Sequence, residues 1–518
     1  MCDGTNRCRL AIALLTLVTS ISGALRVHAA VLPPGFELQS YVSGFDEPVG
    51  MAFAPDGRLF ILEKAGRVRV VTANRVLLPT PFLDISAEVN FLIDRGLVGI
   101  AFHPDFPDTP WIYFVHVAAP PPGSPIPPSG IPPTYGRLLR VQPDVTGNVA
   151  DLTTLEILIG EVPSQGFIHC YTTHTVGTIA FANDGSLFVG MGEGAHWEET
   201  DPGGMDPICF SPPLFDPEYD IGAFRSQDLD APAGKIWRID PETAGGLPDN
   251  PYWTGNADDH RSKVWASGLR NPFRFTLQPG SQTPETIWTG DVGQSKWEEF
   301  DVAHGGENFG WPCYEGPVAF DNYLNATPAH SGCDTLQTPD NPGPVTPPIM
   351  SFHHTQSHQS SPVGHLARAA IAGVFYTGER YPPRYRGRFL FADYVTSWIG
   401  VLDPADIGEA PAPVAAGPPI EVFVTGAGRP TAFTTHPQTG DVYYTSLQQN
   451  KVNRIVWVSP PQDVDFDADV DLIDFRAFQS CAAADITARP DCRPFDANAD
   501  NDVDVFDFNT FIDAVNDG

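Results

Sequence analysis

Short runs of alternating apolar residues occur in pairs along most of the chain, and each pair is joined by a turn rich in Pro, Asp and Gly. Alternation of this kind predicts β-hairpins, and a unit that recurs predicts a repeat architecture. The pattern appears six times. The copies begin at Met51, Ile100, Ile179, Phe273, Ile371 and Thr431.

A single hairpin cannot bury its faces, so six similar hairpins predict an all-β, six-bladed β-propeller, built from four-stranded blades over residues 31–458. A β-sandwich with additional strands is the alternative, but it offers no reason for six similar units. The copies are unevenly spaced because insertions separate them, at 118–134, 194–232 and 317–365. Long connections of this kind often carry binding sites.

The pattern changes after a short linker, residues 459–462, which contains Pro460 and Pro461. Residues 463–518 hold two segments with oxygen-bearing side chains at the spacing 1, 3, 5, 7, 9 and 12 of EF-hand-type calcium loops. The first segment offers Asp463, Asp465, Asp467, Asp469, Asp471 and Asp474, and the second offers Asp496, Asn498, Asp500, Asp502, Asp504 and Asp507. In each, the seventh residue would bind through its carbonyl oxygen.

Each calcium segment runs into a short amphipathic helix, with Phe475 or Phe508 directly after the twelfth position. This arrangement resembles a dockerin module, which implies a small α-helical domain and a cohesin-like partner. The sixth position is Ala468 in the first loop and Asn501 in the second, and Asn tolerates a left-handed backbone better than Ala does. The alternative is a disordered acidic tail, which would not repeat one register twice.

Composition agrees with short strands, since the chain of 518 residues contains 48 Gly and 53 Pro. The formal net charge of −33 argues against a nucleic-acid partner. Fifteen Asp and only three Arg lie from Asp463 to the C-terminus, which favours cation binding there.

The first 30 residues predict an export signal, because Arg7 and Arg9 precede an apolar run that ends near Ala29. A retained membrane anchor is the alternative, although the run is short for a spanning helix, and no later segment is long enough to span. We therefore expect an extracytoplasmic location, periplasmic or secreted. Signal removal leaves six cysteines, which permit fifteen pairings, and proximity along the chain favours consecutive pairs.

Four motifs, in order, resemble the glucose/sorbosone dehydrogenase family: GLVGIAFHPDF (96–106), HTVGTIAFANDGSLFVGMGEG (174–194), GLRNPFRF (268–275) and GDVGQSKWEEFDVAHGGENFGWP (290–312). The resemblance covers about residues 33–458. It implies a six-bladed propeller that uses pyrroloquinoline quinone (PQQ) and calcium to oxidise an aldose-type sugar by hydride transfer. Electrons would then pass to an acceptor that the sequence does not identify.

The resemblance also implies roles for individual residues. His174 would be the general base, a role that suits an imidazole titrating near neutrality, and Glu193 would orient it and raise its basicity. Arg270 would stabilise the reduced quinone, with Asn271 as a second cofactor contact. Main-chain carbonyls of Gly293 and Gln294 would hold the calcium that polarises the quinone.

Glu299 matches a carboxylate ligand at a separate structural calcium site of the family. Two of the family's quinone contacts have no counterpart here. The family grips the quinone's carboxylates with a Lys in the fifth blade and two Arg in an Arg-x-Arg pattern, whereas this chain has ADYVTSWIG and GRPTAF. Only Arg429 matches, and Thr431 stands at the second Arg.

Two hypotheses therefore follow from the sequence. In the first, the chain is an exported PQQ-dependent sugar dehydrogenase. In the second, it is a non-enzymatic propeller that binds a protein or glycan, as hedgehog-interacting-protein-like proteins, which share the GLRNPF to GDVGQ motifs, are known to be binders. The absent Lys and Arg favour the second hypothesis, and the residues at positions 174, 193, 270 and 271 favour the first.

Overall fold

The computed structural model describes residues 30–124, 131–326, 333, 336, 345–355, 367–407, 420–460, 462–464, 470–483 and 485–517. Six antiparallel sheets of at least four strands follow one another along the chain, and they form a six-bladed β-propeller. Each predicted hairpin supplies the first strands of one blade, so the prediction is confirmed. The proposed signal segment lies outside the described residues.

The strands of each blade, in the order of their hydrogen bonding, have the following bounds. Blade 1 contains Pro48–Phe53, Leu59–Glu63, Arg67–Val71 and Leu83–Asp84; blade 2 contains Leu97–Phe102, Ile112–Val117, Thr134–Pro143 and Phe167–His169, with Ala150–Ile159 as an additional strand; blade 3 contains Val176–Phe181, Leu187–Met191, Lys235–Ile239 and Val264–Ala266. Blade 4 contains Arg274–Leu277, Ile287–Asp291, Trp297–Ala303 and Met350–His353; blade 5 contains Ala370–Phe375, Phe389–Asp393, Trp398–Leu402 and Ile420–Thr425; blade 6 contains Pro430–Thr435, Val442–Ser446, Lys451–Trp457 and Phe36–Ser43.

The first strand of every blade lies at the centre of the ring. All six of these strands line one central cavity of about 140 Å³. Neighbouring inner strands approach closely at glycines. A Cβ on Gly99 would overlap the carbonyl oxygen of Gly177 in the next blade, and one on Gly177 would overlap that of Phe273. The absence of side chains at these points allows the backbones to meet around the axis.

The ring closes in blade 6, where the strand Phe36–Ser43 from the start of the propeller pairs with Lys451–Trp457 from its end. Phe36 is buried at this junction. Its ring centroid lies 4.7 Å from that of Phe423 and 5.0 Å from those of Tyr381 and Trp457. The two chain ends are therefore held by both hydrogen bonds and aromatic packing.

The connections between strands contain several short elements. Short helical turns occur at Ser86–Glu88, Pro163–Gln165, Pro217–Tyr219, Gly222–Ser226, His260–Lys263, Asp321–Leu324, Pro383–Tyr385 and Pro404–Asp406, and a small hairpin joins Tyr314–Glu315 to Val318–Ala319. Disulfides link consecutive cysteines: Cys170 to Cys209, Cys313 to Cys333 and Cys481 to Cys492. Such bonds persist in oxidising compartments. Within the described residues, no helix has the length and apolar character needed to cross a membrane.

The C-terminal segment is a small helical module. Helices Leu472–Cys481 and Val505–Asp517 flank the short helical turn Pro490–Phe495. Phe478 packs against Phe511 with ring centroids 5.0 Å apart, and both side chains are buried with Phe495. The predicted amphipathic helices are therefore present and face each other.

The closure of blade 6 predicts that Phe36→Ala destabilises the propeller by about 3–5 kcal/mol, the usual cost of removing a buried Phe ring. The measurement is equilibrium denaturation followed by near-UV circular dichroism. Val76→Ala is the control, because the Val76 side chain is 56% exposed and should change stability by less than about 0.5 kcal/mol. A loss as small for Phe36→Ala as for the control would contradict the role assigned to this junction.

Candidate functional site

His174 and Glu193 form a buried pair at one end of blade 3. His174 precedes the strand Val176–Phe181, and Glu193 follows Leu187–Met191, so the two termini of one hairpin bring them together. His174 Nδ1 lies 2.5 Å from Glu193 Oε1. This contact places the proton on Nδ1. Within the described part of the chain no hydrogen bond occupies Nε2, whose lone pair can then accept a proton.

Hydrogen bonds fix both the side chain and the main chain of Glu193. Its second oxygen, Oε2, accepts a hydrogen bond from the indole N–H of Trp311. Its main-chain N–H donates to the Arg270 carbonyl at 2.9 Å, and its own carbonyl accepts the Arg225 Nε–H at 2.9 Å. A buried carboxylate needs such partners. The carboxylate is therefore fixed against the imidazole rather than free to turn.

His174 does not keep the near-neutral pKa of a free imidazole. Burial, and then the Arg270 guanidinium, lower the pKa of His174 to about 4, although the Glu193 carboxylate acts in the opposite direction. Desolvation of the imidazolium outweighs one ion pair. The imidazole is consequently neutral, and able to act as a base, over the whole range above about pH 4.

Arg270 is engaged with backbone carbonyls. Its Nη1 donates to Val292 O at 2.9 Å and to Gly293 O at 2.7 Å, and its Nη2 donates to Trp197 O at 3.0 Å. The guanidinium carbon also lies 5.3 Å from the centre of the Trp311 ring. Arg270 therefore contacts one of the two carbonyls predicted to bind calcium, and a guanidinium and a calcium ion would compete for that oxygen.

The main chain at Arg270 and Asn271 is anchored by Asp291. The two N–H groups donate to the Asp291 carboxylate at 2.8 and 2.6 Å, respectively. The side-chain oxygen of Asn271 is buried and accepts no hydrogen bond from the described residues. Asn271 therefore presents an unused acceptor at the position predicted to contact a cofactor.

Glu315 holds the turn that contains the predicted calcium carbonyls. Its Oε1 accepts N–H bonds from Gln294 at 2.8 Å, Ser295 at 2.6 Å and Lys296 at 2.9 Å. Sequence reasoning missed this residue, because it lies beyond the motif that it supports. The turn around Gly293 and Gln294 is therefore preformed.

Glu299 lies in a buried group of three carboxylates with Asp291 and Asp301, whose oxygens come within 4.8 Å of one another. The strand register explains the grouping, since Asp291 pairs directly with Glu299, and Asp301 is the next residue on the same face. Burial raises the pKa of Asp291 to about 7. Glu299 Oε2 and both oxygens of Asp301 accept no hydrogen bond from the described residues.

A cavity of about 480 Å³ opens at the same end of the propeller. Loops and strands of five blades line it, and the predicted cofactor residues Asn271 and Arg429 are both among its walls, together with Thr431. A volume of this size is typical of small-molecule sites. The structure thus brings two predicted cofactor residues into one space.

Two charged residues that sequence reasoning missed, Lys64 and Asp94, also line the cavity. Asp94 lies close to both His174 and Lys64, since the main-chain N–H of His174 and the charge of Lys64 both act to lower the pKa of its carboxyl. Burial raises the pKa of Asp94 to about 6. Lys64 lies between two strands of blade 1, outside the four family motifs. Its place at the cavity therefore becomes apparent only from the arrangement of the blades.

The second predicted calcium loop, from Asp496 to Asp507, is described in full. Asp507 Oδ1 accepts the N–H of Ala497 at 2.8 Å, and its Oδ2 accepts that of Asp504 at 2.8 Å. Asn501, at the sixth position, has a left-handed backbone with φ of 70°. The second loop therefore has its left-handed turn at the sixth position, where EF-hand-type calcium loops also turn.

The first calcium loop shows the same bonds where it is described. Asp474 Oδ1 accepts the N–H of Val464 at 2.7 Å, and its Oδ2 accepts that of Asp471 at 2.9 Å. These bonds join the twelfth position to the second and ninth, as in the second loop. The predicted ligand Asp463 is also described, whereas Asp465, Asp467 and Asp469 lie outside the described residues, as does Ala468.

Two known proteins are similar to this chain in sequence. HIPL2 protein of Arabidopsis thaliana is 25% identical over 402 residues, which are 72% of this chain and 53% of that protein. Aldose sugar dehydrogenase YliI of Escherichia coli is 24% identical over 277 residues, which are 52% of this chain and 59% of that protein. The chain thus matches little more than half the length of these curated relatives.

The PQQ-bound aldose sugar dehydrogenase of Streptomyces coelicolor shares the fold. Its structure superimposes with a TM-score of 0.54 at 17% identity, covering 82% of this chain and 99% of that one. The sequence description of the family named Glucose / Sorbosone dehydrogenase matches residues 45–403, most of the propeller. From this match, together with the propeller fold, the chain belongs to the glucose/sorbosone dehydrogenase family.

Proposed function

We propose that this protein is an exported, PQQ-dependent dehydrogenase that oxidises an aldose-type sugar. The observation that carries the proposal is the buried His174–Glu193 pair, oriented by Trp311, in which Nε2 of His174 has no hydrogen bond from the described residues. A ligand-sized cavity, lined by Asp94 and Asn271 among others, lies at the same end of the propeller. The proposal is further supported by membership of a family that includes sugar dehydrogenases. The sugar and the electron acceptor are not specified by the site.

The cavity fits the quinone in size and in donor chemistry. Arg429 offers a cation for a carboxylate, and Asn271 offers a buried acceptor without a partner. When bound, PQQ supplies the acceptor for the hydride of the sugar. The Gly293 carbonyl, in contrast, already accepts a bond from Arg270. A calcium ion at this turn would have to share that carbonyl oxygen with the guanidinium, and the proton transfer at His174 needs no ion there.

The chain's own residues account for the proton. The neutral imidazole of His174 accepts the hydroxyl proton of the sugar at Nε2 while Nδ1–H remains bonded to Glu193. The imidazolium so formed is stabilised by the carboxylate at 2.5 Å. Trp311 keeps the carboxylate from turning away, and burial excludes water from the pair.

A second candidate function is a binding module for a protein or glycan, as the sequence also allowed. The contact between Arg270 and the Gly293 carbonyl favours it, because this contact occupies an oxygen that the predicted calcium would need. Hedgehog-interacting protein of Homo sapiens is also similar to this chain, at 30% identity over 256 residues. Sugar-dependent dye reduction by the purified protein with PQQ and calcium separates the two functions.

The base assignment predicts that His174→Ala reduces dye reduction by about 10²–10⁴-fold, the usual contribution of a general base. In the wild type, kcat/KM should fall as pH decreases through about 4, since the pKa of His174 is lowered to about 4 and its neutral form is the base. Glu193→Asp should retain part of the activity, because it keeps the carboxylate.

His304→Ala is the matched control, since that side chain is 58% exposed. Thermal unfolding of each variant checks the fold. Activity of His174→Ala within a few-fold of the wild type, or an acid limb near pH 6.5, would remove this histidine from the mechanism.

We also propose that Glu299, with Asp291 and Asp301, binds a structural calcium ion. Calcium prefers oxygen ligands, and three neighbouring buried carboxylates, two of which have oxygens without a hydrogen bond from the described residues, are costly without a cation. The site lies between the two strands that lead into the Gly293 turn. It would therefore stabilise the turn without taking part in proton transfer.

The carboxylate cluster predicts opposite effects of Glu299→Gln with and without calcium. In chelator the variant should unfold at a higher temperature than the wild type, because one buried negative charge is removed. With calcium, the variant should gain less stability than the wild type gains, because a ligand is lost. Glu156→Gln, at an exposed glutamate, is the control. If calcium raised the unfolding temperature of Glu299→Gln as much as that of the wild type, the proposed site would be refuted.

For the C-terminal module we propose calcium binding by both loops and docking to a cohesin-like partner. In Asp474 and in Asp507, one carboxylate oxygen accepts the N–H of the second loop residue and the other accepts the N–H of the ninth. This repeated geometry supports two similar sites. The acidic tail alternative does not account for it.

Asp507→Ala is expected to remove one calcium-binding event from the full chain, measured by titration calorimetry, because the twelfth-position ligand is lost. Asp513→Ala removes the same charge from the exposed face of the following helix and should leave binding intact. An isolated 460–518 fragment should gain helix on addition of calcium, as binding contributes to folding. No uptake of calcium by wild-type protein would end this proposal.

A further inference from the structure

A ligand with several carboxylates requires positive charge in the cavity of about 480 Å³. Two of the positions at which the family supplies it hold no cation in this chain. The fifth-blade segment ADYVTSWIG has no Lys, and the second Arg of the family pattern is Thr431. The Thr431 hydroxyl lies 2.7 Å from that of Thr445 and bonds to Pro48 O at 3.2 Å. Thr431 is thus occupied within the ring and does not replace the missing cation.

Lys64 brings a cation into the same cavity from a different blade. It lies between the strands Leu59–Glu63 and Arg67–Val71, and its main chain is fixed on both sides. Its N–H donates to Glu47 O at 3.0 Å, and its carbonyl accepts the N–H of Leu97 at 3.0 Å. The backbone therefore holds this side chain at the cavity wall.

Two carboxylates, those of Asp94 and Glu47, line the cavity near the ammonium group of Lys64, and that charge acts to lower the pKa of the Asp94 carboxyl. Nζ lies 3.7 Å from Glu47 Oε1, beyond ordinary hydrogen-bond distance, and the Glu47 side chain is 46% exposed. The Lys64 side chain itself is 13% exposed. A largely buried ammonium paired at this distance retains hydrogen-bonding capacity for an anion that enters the cavity.

Arg429 approaches the cavity from blade 6. Its backbone has a left-handed φ of 60°, its N–H donates to Ser397 Oγ at 3.0 Å, and its carbonyl accepts the N–H of Leu447 at 3.1 Å. Its guanidinium lies 5.6 Å from the centre of the Tyr394 ring. Both cations are thus held by fixed backbone, one from the first blade and one from the last.

A third cation, Arg274, lies behind two residues of the cavity wall. Arg274 donates to Thr431 O at 2.8 Å and to Val49 O at 2.6 Å, and both of those residues line the cavity. The described residues place no carboxylate against Arg274, whose bonds all go to carbonyl oxygens. Its charge adds to the positive potential at the base of the cavity.

We propose that Lys64 is the second cationic contact for a carboxylate of the quinone, which it holds from blade 1 while Arg429 holds another from blade 6. The inference rests on the proposed function and assigns the missing grip to a residue outside the family's cationic positions. It requires a polycarboxylate ligand, since two separate cations favour two separate negative groups.

The test is titration calorimetry of the purified full chain, prepared without quinone, with PQQ as the titrant. Lys64→Gln should weaken binding by at least about tenfold, the equivalent of about 1.4 kcal/mol for a lost charged contact. Glu47→Gln should have the opposite effect and tighten binding several-fold, because it removes one of the two acids that compete for Lys64. If Lys64 had only a structural role, Lys64→Gln and Glu47→Gln would not change the affinity for PQQ in opposite directions.

Lys64→Arg should bind nearly as well as the wild type, and Arg261→Gln, at an exposed cation of blade 3, is the charge-matched control. Circular dichroism and thermal unfolding show whether each variant is folded. If wild type and Lys64→Gln bind PQQ equally, the inference fails while the proposed function stands. If binding follows Lys64 but no sugar is oxidised, the inference stands and the dehydrogenase function fails. Absence of PQQ binding by the wild type would overturn both.

Discussion

A ring of six blades depends on the junction at which its two ends meet. Blade 6 has only three strands from the end of the propeller, and the strand Phe36–Ser43, from its beginning, supplies the fourth. Once that junction is made, the inner strands lie around one axis and the connecting turns project from the ends. Side chains that are distant in sequence then share one cavity at the axis.

The functional groups at this end are fixed by the need to satisfy a buried charge. Glu193 is fully buried, and its carboxylate is stable only because His174 and Trp311 donate to it. The same bonds that satisfy the carboxylate also orient the imidazole. His174 additionally has a left-handed backbone with φ of 54°, uncommon for a residue other than glycine and frequent at functional sites.

Charge in the cavity is distributed differently from the family pattern that the sequence suggested. Arg270 binds backbone carbonyls, including that of Gly293, and Thr431 bonds within the ring. Lys64, from the first blade, meets Arg429 at the cavity instead. A pocket can preserve its potential when cations change position, because potential depends on distance from the ligand and not on the blade of origin. Loss of family residues alone therefore does not decide between an enzyme and a binder.

The sequence determined what depends on local spacing. Alternating apolar residues were sufficient for the six hairpins, and the Asp register was sufficient for the turn at Asn501 and the bonds to Asp507. Consecutive pairing of the cysteines also followed from proximity along the chain. The family motifs placed His174 and Glu193 at the two ends of one hairpin, where the structure brings them into contact.

Only the tertiary structure decided what depends on packing between distant segments. Trp311 bonds to Glu193 across 118 positions of sequence, and Lys64 and Arg429 share a cavity only because the first and last blades are neighbours in a closed ring. The pKa of His174 was also beyond reach of the sequence, since it depends on how completely water is excluded and how near Arg270 lies. Local pattern specifies hairpins and turns, whereas burial and long-range charge arise only when the ring has closed.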